Sequence, residues 1–278
     1  DSVDDIGYVK PMLAKKWEDY ENKVQLPVYT QPKLDGIRCI ATKDGLKSRT
    51  GKEIVAVPHI FESLKPFFAE NPDVVLDGEL YCDKFDNDFN AICSIVRKSK
   101  LTEQDVEKAE VIEYHVYDMV DKSMRFSERI DFIDDNFLCG EQFDHIVPVQ
   151  TCLAETKEYL DELYGQWQEQ GYEGQMVRLN EPYENKRSKS LLKRKEFQDS
   201  EYKILGWKEG IGNRAGTIGH LCFETEDGVK FNSNVKGNFG YLEEVLKQGD
   251  SLIGKSATIK YFHLTPDGVP RFPYVIAI

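Results

Sequence analysis

The sequence predicts an α+β protein of two domains, residues 1–198 and 199–278. Strand-length runs of β-branched and aromatic residues recur between Asp-Gly and Asn-Pro turn signals, and only a few stretches carry helical spacing. At 278 residues the chain exceeds the ~100–150 residues of a usual domain, so it can bury more than one core. No repeat or low-complexity segment is visible.

Taken in order, Val28-Tyr29-Thr30-Gln31 reads as a strand that leads into Lys33. Residues 37–42 and 46–49 flank Asp44-Gly45, a dipeptide that favours a tight hairpin, and Arg49 leaves the second strand. Residues 58–68 read as a helix with Ile60, Phe61, Leu64 and Phe67 near one face and Asn71-Pro72 stopping it. Ser127 is the expected N-cap of a helix beginning with Glu128, and residues 155–170 carry a second amphipathic pattern closed by Gly171. The polar segment Phe197-Gln198-Asp199-Ser200-Glu201 marks the domain boundary. Beyond it, residues 203–207, 219–224, 229–232, 257–263 and 274–278 read as five short strands, with hairpin turns at Asp227-Gly228 and Asp267-Gly268 and one helix over 241–247. Five strands and a helix suit an OB-fold, although the pattern alone fits any small barrel.

Composition narrows the class. The start Asp1-Ser2-Val3-Asp4-Asp5 is acidic rather than a basic leader, and no run approaches the roughly 18 apolar residues of a membrane span. The expectation is an intracellular, cytoplasmic protein, monomeric and without a membrane partner. Six cysteines are scattered with no C-x-x-C pair, so reduced and mostly buried thiols are expected rather than a zinc site or disulfides. The net charge of −13 argues superficially against nucleic acid. Its distribution argues otherwise: residues 186–278 carry 15 Lys and Arg against 11 Asp and Glu, while residues 1–185 carry 21 against 38.

Lys33-Leu34-Asp35-Gly36-Ile37-Arg38 sets a lysine beside an acid, a turn-forming glycine and an arginine at the mouth of a strand. Free lysine has a pKa of about 10.4, so its use as a nucleophile requires desolvation or nearby positive charge. Arg38 and the run Lys193-Arg194-Lys195 are sources of that charge. On a strand Lys193 and Lys195 point to one side, so both would face one ligand. Asp77-Gly78-Glu79 follows Val74-Val75-Leu76, Tyr117-Asp118 closes the strand-like run after Val111-Ile112, and Glu173-Gly174 opens Gln175-Met176-Val177-Arg178.

These stretches, in this order, resemble motifs I, III, IIIa, IV and V of the covalent nucleotidyltransferase superfamily of ATP-dependent DNA ligases, RNA ligases and mRNA capping enzymes. The resemblance runs from about Gln31 to Lys195 and implies an adenylation domain of antiparallel sheets with flanking helices, followed by an OB-fold β-barrel. It also implies that Lys33 attacks the α-phosphate of ATP and that Lys193 and Lys195 stabilise phosphoryl charge. Arg38 and Glu79 would contact the nucleotide sugar, Tyr117 would stack on the purine, and Gln31, whose amide has both donors and acceptors, would pair with the base edge. Glu173, together with Glu79, would hold Mg²⁺ or Mn²⁺. Arg49, within Ser48-Arg49-Thr50-Gly51, would touch substrate phosphate, and Lys186, Arg187 and Lys189 would extend the DNA-binding surface. The chain looks closest to small viral or bacterial-type ATP-dependent DNA ligases, and Arg271-Phe272-Pro273 resembles a tripeptide near their C-terminal end. Nicked duplex DNA is then the implied substrate. An RNA ligase, a capping guanylyltransferase and a non-catalytic nucleic-acid-binding protein are the alternatives. An R-x-D-K element of motif VI is not visible.

Overall fold

The computed structural model describes residues 8–82, 89–139, 142–195, 198–261, 264–270 and 273–278. Phe197 of the boundary segment and Arg271-Phe272 of the C-terminal tripeptide lie outside the described residues. The chain divides into two compact units, Asp1–Arg194 and Lys195–Ile278.

The first unit holds two five-stranded sheets. One runs in the order β1 (Leu13–Lys16), β10 (Arg187–Arg194), β9 (Gly174–Arg178), β2 (Val28–Lys33), β8 (Cys152–Ala154). The other runs β4 (Gly45–Ser48), β3 (Ile37–Thr42), β5 (Leu76–Tyr81), β6 (Glu113–Met119), β7 (Ile146–Pro148). Pairing is antiparallel except where β1 meets β10 and β6 meets β7. Because strand side chains alternate, each sheet has two distinct faces. In the first sheet Val28, Val177 and Leu192 pack with Leu160 of α5 (Lys157–Glu169), whereas Gln31, Lys33, Met176 and Lys193 line a cavity. The second sheet is buried beneath α1 (Pro58–Glu70), α2 (Phe89–Val96) and α4 (Phe126–Phe137), with Ile60, Leu64, Leu80, Val116 and Ile133 at the centre of the largest core. The seven-residue helix α3 (Glu103–Ala109) is capped at both Thr102 and Asp105, the two side chains answering each other's backbone N–H.

Local signals account for most of these boundaries. The Asp-Gly hairpin forms with Thr42 opposite Gly45. Thr156 Oγ1 caps α5, accepting from Tyr159 N–H, and Gly171 follows the helix at φ 94°. Ser127, in contrast, is not the cap of α4. That helix begins at Phe126, two residues before the expected Glu128, and the Ser127 N–H donates to Asn180 Oδ1 at 2.9 Å, so a distant amide does the work expected of a local hydroxyl.

The second unit is one six-stranded sheet in the order β11 (Gln198–Lys203), β15 (Ser256–Tyr261), β16 (Tyr274–Ala277), β14 (Lys230–Val235), β13 (Ile218–Glu224), β12 (Gly206–Glu209). Its two end strands are halves of a single segment. Ile204 N–H donates to Lys255 O and Leu205 N–H to Cys222 O, so the segment pairs with β15 on one side and β13 on the other and the sheet returns on itself. The polar residues 198–201, expected to be a break, are therefore strand: β11 is largely exposed and held by pairing with β15, so it needs no apolar pattern. Helix α6 (Phe239–Gln248) packs Leu242, Val245 and Leu246 against the core of this sheet, the placement of a capping helix.

No disulfide joins the six cysteines; Cys39, Cys82 and Cys93 are buried, Cys139 is exposed, and Cys152 and Cys222 are partly exposed, so burial extends to fewer thiols than expected. Among the described residues no helix is long and apolar enough to cross a membrane.

Candidate active site

Lys33 is the last residue of β2, and Leu34-Asp35-Gly36 carries the chain from one sheet of the first unit to the other, where β3 begins at Ile37. This crossing puts the lysine in a cavity of about 800 Å³ that both sheets line. Gly36 is there because nothing larger fits: a Cβ would lie 2.2 Å from Leu80 O and 2.9 Å from Glu79 Cγ. Gly36→Ala should therefore push β3 from β5 and displace Lys33. We expect at least about a tenfold loss in covalent labelling of the lysine with little change in secondary structure by circular dichroism; unaltered labelling would mean that the crossing can shift without cost.

The Lys33 ammonium donates to Glu173 Oε2 at 2.8 Å, and the Glu173 N–H donates to Lys33 O at 3.1 Å, so the two residues are tied through side chain and backbone. Glu79, opposite Arg38 on the neighbouring strand, accepts from the Gly36 N–H and the Tyr117 hydroxyl, each at 3.2 Å. Burial pushes its carboxyl up to about 7, against the opposing pull of Lys33, Arg38 and those two hydrogen bonds. Between its ordinary value of 4.5 and about 7 the folded protein thus holds a proton that the unfolded chain has released, and stability falls as pH rises through that window. Glu79→Gln removes this contribution. Because Glu79 keeps some exposure at the cavity surface, we expect its variant to lose less stability than the parent between about pH 5 and 7 by on the order of 2 kcal/mol. Urea titrations across that range measure it, and parallel slopes for the two proteins would assign the proton elsewhere.

Arg38 makes two bonds to Asp77, Nε to Oδ1 at 2.9 Å and Nη2 to Oδ2 at 2.6 Å, while the buried Tyr183 hydroxyl donates to Oδ2 at 2.8 Å. This bidentate pairing fixes the guanidinium plane. Tyr117 lines the cavity with the Arg38 guanidinium 5.8 Å and the Arg178 guanidinium 5.2 Å from its ring centre. Burial, with Arg38 acting against it, holds the Tyr117 hydroxyl well above the ordinary phenol range, so at neutral pH it remains a donor to Glu79. Gln31 also lines the cavity, but both its amide protons are committed, to Tyr117 O at 3.0 Å and Thr151 Oγ1 at 2.9 Å. The expected two-sided pairing of this amide with a base is therefore not available; only its oxygen has capacity left.

The cations divide. Lys193 lines the cavity, as do Arg49 and Arg187; Arg49 is exposed at the exit of β4, and Arg187 Nη1 donates to Ala14 O at 2.7 Å. Lys186 and Lys189 are exposed, the former paired with Glu184 at 3.2 Å. The alternation expected to align Lys195 with Lys193 does not hold, because β10 ends at Arg194 and Lys195 begins the second unit, exposed and outside any strand. Nine Lys and Arg line the cavity against two Glu, so a chain of charge −13 presents a locally positive pocket suited to polyphosphate.

Among the described residues no three His, Cys, Asp or Glu side chains cluster as a metal site. Glu79 and Glu173, whose carboxylates both act on Lys33, are hard oxygen donors that suit Mg²⁺ or Mn²⁺, provided phosphate oxygens and water complete the shell. Sequence reasoning passed over the deepest part of the site. Asp118 accepts from Arg129 Nε at 2.7 Å and from Arg178 Nη1 at 2.8 Å, all three side chains being buried, and Arg178 Nε donates to Gln31 Oε1 at 2.6 Å. The only local hint was an acid directly after Tyr117, between the apolar Tyr117 and Met119 of β6.

A family model described as ATP dependent DNA ligase domain matches residues 11–195, and one described as DNA ligase OB-like domain matches residues 209–278. A DNA ligase of Haemophilus influenzae is 26% identical over 241 residues, covering 86% of this chain and 82% of that protein. The DNA ligase of Enterobacteria phage T4 is 24% identical over 303 residues, and there the chain spans 62% of the relative's length. Among solved structures, a Lig E DNA ligase described as binding DNA with a minimal scaffold superposes with a TM-score of 0.58 at 25% identity, over 97% of this chain and 99% of that one. The Chlorella virus DNA ligase-adenylate superposes with a TM-score of 0.56 at 25% identity, over 97% of each.

Proposed function

Because the chain belongs to the family of ATP-dependent DNA ligases, we propose that it seals nicks bearing a 5′-phosphate and a 3′-hydroxyl in duplex DNA through a lysine-bound AMP. The observation that carries this reading is the Lys33 ammonium in a cation-lined cavity, 2.8 Å from the Glu173 carboxylate.

In the first step the Lys33 amine attacks the α-phosphorus of ATP, a P–N bond forms, and the P–O bond to pyrophosphate breaks. The Glu173 carboxylate, 2.8 Å from that amine, takes its proton. Arg38, Arg49, Arg187 and Lys193 supply positive charge along the cavity wall, where it offsets charge on the triphosphate. Glu79 and Glu173 would hold the divalent cation, Mg²⁺ or Mn²⁺, whose contribution when bound is charge neutralisation on the phosphates. In this reading Tyr117 and Met176, which line the cavity, offer the purine a ring and a thioether, and Arg38 and Glu79 would contact its sugar. In the second step the DNA 5′-phosphate displaces Lys33 from AMP. In the third the 3′-hydroxyl attacks the activated 5′-phosphorus, joining the strand and releasing AMP. Lys195, Lys186 and Lys189 join the DNA-contacting surface, and we assign the protein to the interior of the cell as a monomer.

A denaturing-gel assay with ATP and Mg²⁺ tests the reading, using singly nicked duplexes whose 3′-hydroxyl strand is DNA or RNA. Sealing of the DNA nick is expected. Preference for the RNA nick would move the assignment to RNA repair, and labelling by GTP but not ATP would move it to capping chemistry.

A further inference from the structure

Gln31 has four hydrogen-bonding positions on its side-chain amide, and the protein occupies three of them. Its nitrogen donates to the Tyr117 carbonyl, which can only accept, and to the Thr151 hydroxyl, whose own proton goes to Val149 O at 3.1 Å. Its oxygen accepts from Arg178 Nε at 2.6 Å, and a guanidinium can only donate. Turning the amide over would set oxygen against oxygen on one side and amide protons against a cation on the other. The amide therefore has one orientation. What remains is the second lone pair of the oxygen, on a buried residue that lines the cavity.

Arg178 is itself held. Its Nη1 donates to Asp118 at 2.8 Å; Asp118 also accepts from Arg129 and from the Met119 N–H at 2.7 Å; and Arg129 Nη1 donates to Met124 O and Glu181 O at 2.7 and 2.8 Å. A chain of charge-assisted bonds thus runs from the interior of the unit to Gln31, whose amide lines the cavity.

We propose that Arg178 is a specificity-determining positioning residue: by holding Gln31 as an acceptor, it makes the cavity select a purine that offers a 6-amino donor over one that carries a 6-oxo group. The inference rests on the nucleotide-transfer reading above. A 6-oxo purine would bring two acceptors together, and a purine unsubstituted at C6 would leave the Gln31 oxygen unmet.

The full chain is given ATP, purine riboside triphosphate, which carries hydrogen in place of the amino group, or inosine triphosphate, which carries the 6-oxo group. kcat and KM for covalent modification of Lys33 are read by intact-protein mass spectrometry. For the wild type, kcat/KM should fall about tenfold for the unsubstituted purine and about a hundredfold or more for the 6-oxo purine. In Arg178→Met the gap between ATP and purine riboside triphosphate should shrink at least about threefold, chiefly through KM, while Arg178→Lys, which keeps a cationic donor, retains it. If Arg178→Met does not fold, Thr151→Val, which frees the other end of the amide, should shrink the gap in the same way. Equal use of the three nucleotides by the wild type would overturn the proposal and leave lysine transfer standing. An equal loss for all three in Arg178→Met would make the arginine merely structural and overturn its positioning role. No modification by any nucleotide would overturn the nucleotide-transfer reading and this inference with it.

Discussion

Lys33→Ala should carry no covalent AMP under conditions that label the parent fully, and nick sealing from ATP should drop by at least about 10⁴-fold. The size of the effect follows from the site's construction. Glu173 is already hydrogen-bonded to this amine and Glu79 acts on it electrostatically, so its loss removes the group around which both carboxylates are arranged. Lys193, the other lysine of the site whose side chain sits on a strand, lies on β10, which pairs with β9 rather than with β2, so it cannot take over the vacated position without moving a central strand. Because only the first two steps of the proposed reaction pass through Lys33, a nick supplied with AMP already on its 5′-phosphate should still be sealed, with a loss smaller by at least about 10²-fold than the loss from ATP. Intact mass after incubation with ATP and Mg²⁺ gives the first result, and a denaturing gel gives the second. A persistent AMP adduct in Lys33→Ala would mean that another nucleophile carries the reaction.

Much of the fold was legible because it rests on local signals. The Asp-Gly hairpin, the buried face of α1 and the strands expected over 219–224, 229–232 and 274–278 each occupy consecutive residues with the expected period, and tertiary structure only had to agree with them, whereas the strand expected over 203–207 is divided between the end of β11 and the start of β12. The departures have a common cause in long-range partners. Residues 198–201 form a strand because β15 supplies hydrogen bonds, not because their side chains are buried. Ser127 gave the right cue for a helix start, yet Asn180, 53 residues away, caps that turn. The candidate site shows the same division. Its ordered stretches placed Lys33, Glu79, Tyr117, Glu173 and Lys193 around one cavity or against each other. Lys195 fell out because a strand ends one residue before it. Nothing in the local pattern disclosed that Gln31 would be fixed by Arg178, 147 residues away, since no periodicity links residues at that separation.

Asp118→Asn should be the most destabilising single substitution in the first unit. Its carboxylate is wholly buried and faces two guanidinium groups that are nearly so, with side-chain exposures of 1% for Arg129 and 3% for Arg178. Removing the negative charge leaves two buried cations with one neutral amide between them. Breaking a buried pair in this way costs about 3–5 kcal/mol, because the two guanidiniums keep their neutral acceptors but lose their counter-charge. For a unit of this size that corresponds to a fall of roughly 10 °C in Tm, measurable by calorimetry. The same argument gives a sign for the double variant. Arg129→Met removes one of the stranded cations, so Asp118→Asn combined with Arg129→Met should be less destabilised than the sum of the two single variants by at least about 1 kcal/mol. Strict additivity, or a Tm within about 2 °C of the parent for Asp118→Asn, would show that the carboxylate is not the centre of the network. Loss of stability should also be accompanied by loosened base selection in the fraction that folds, because Asp118 reaches Gln31 only through Arg178.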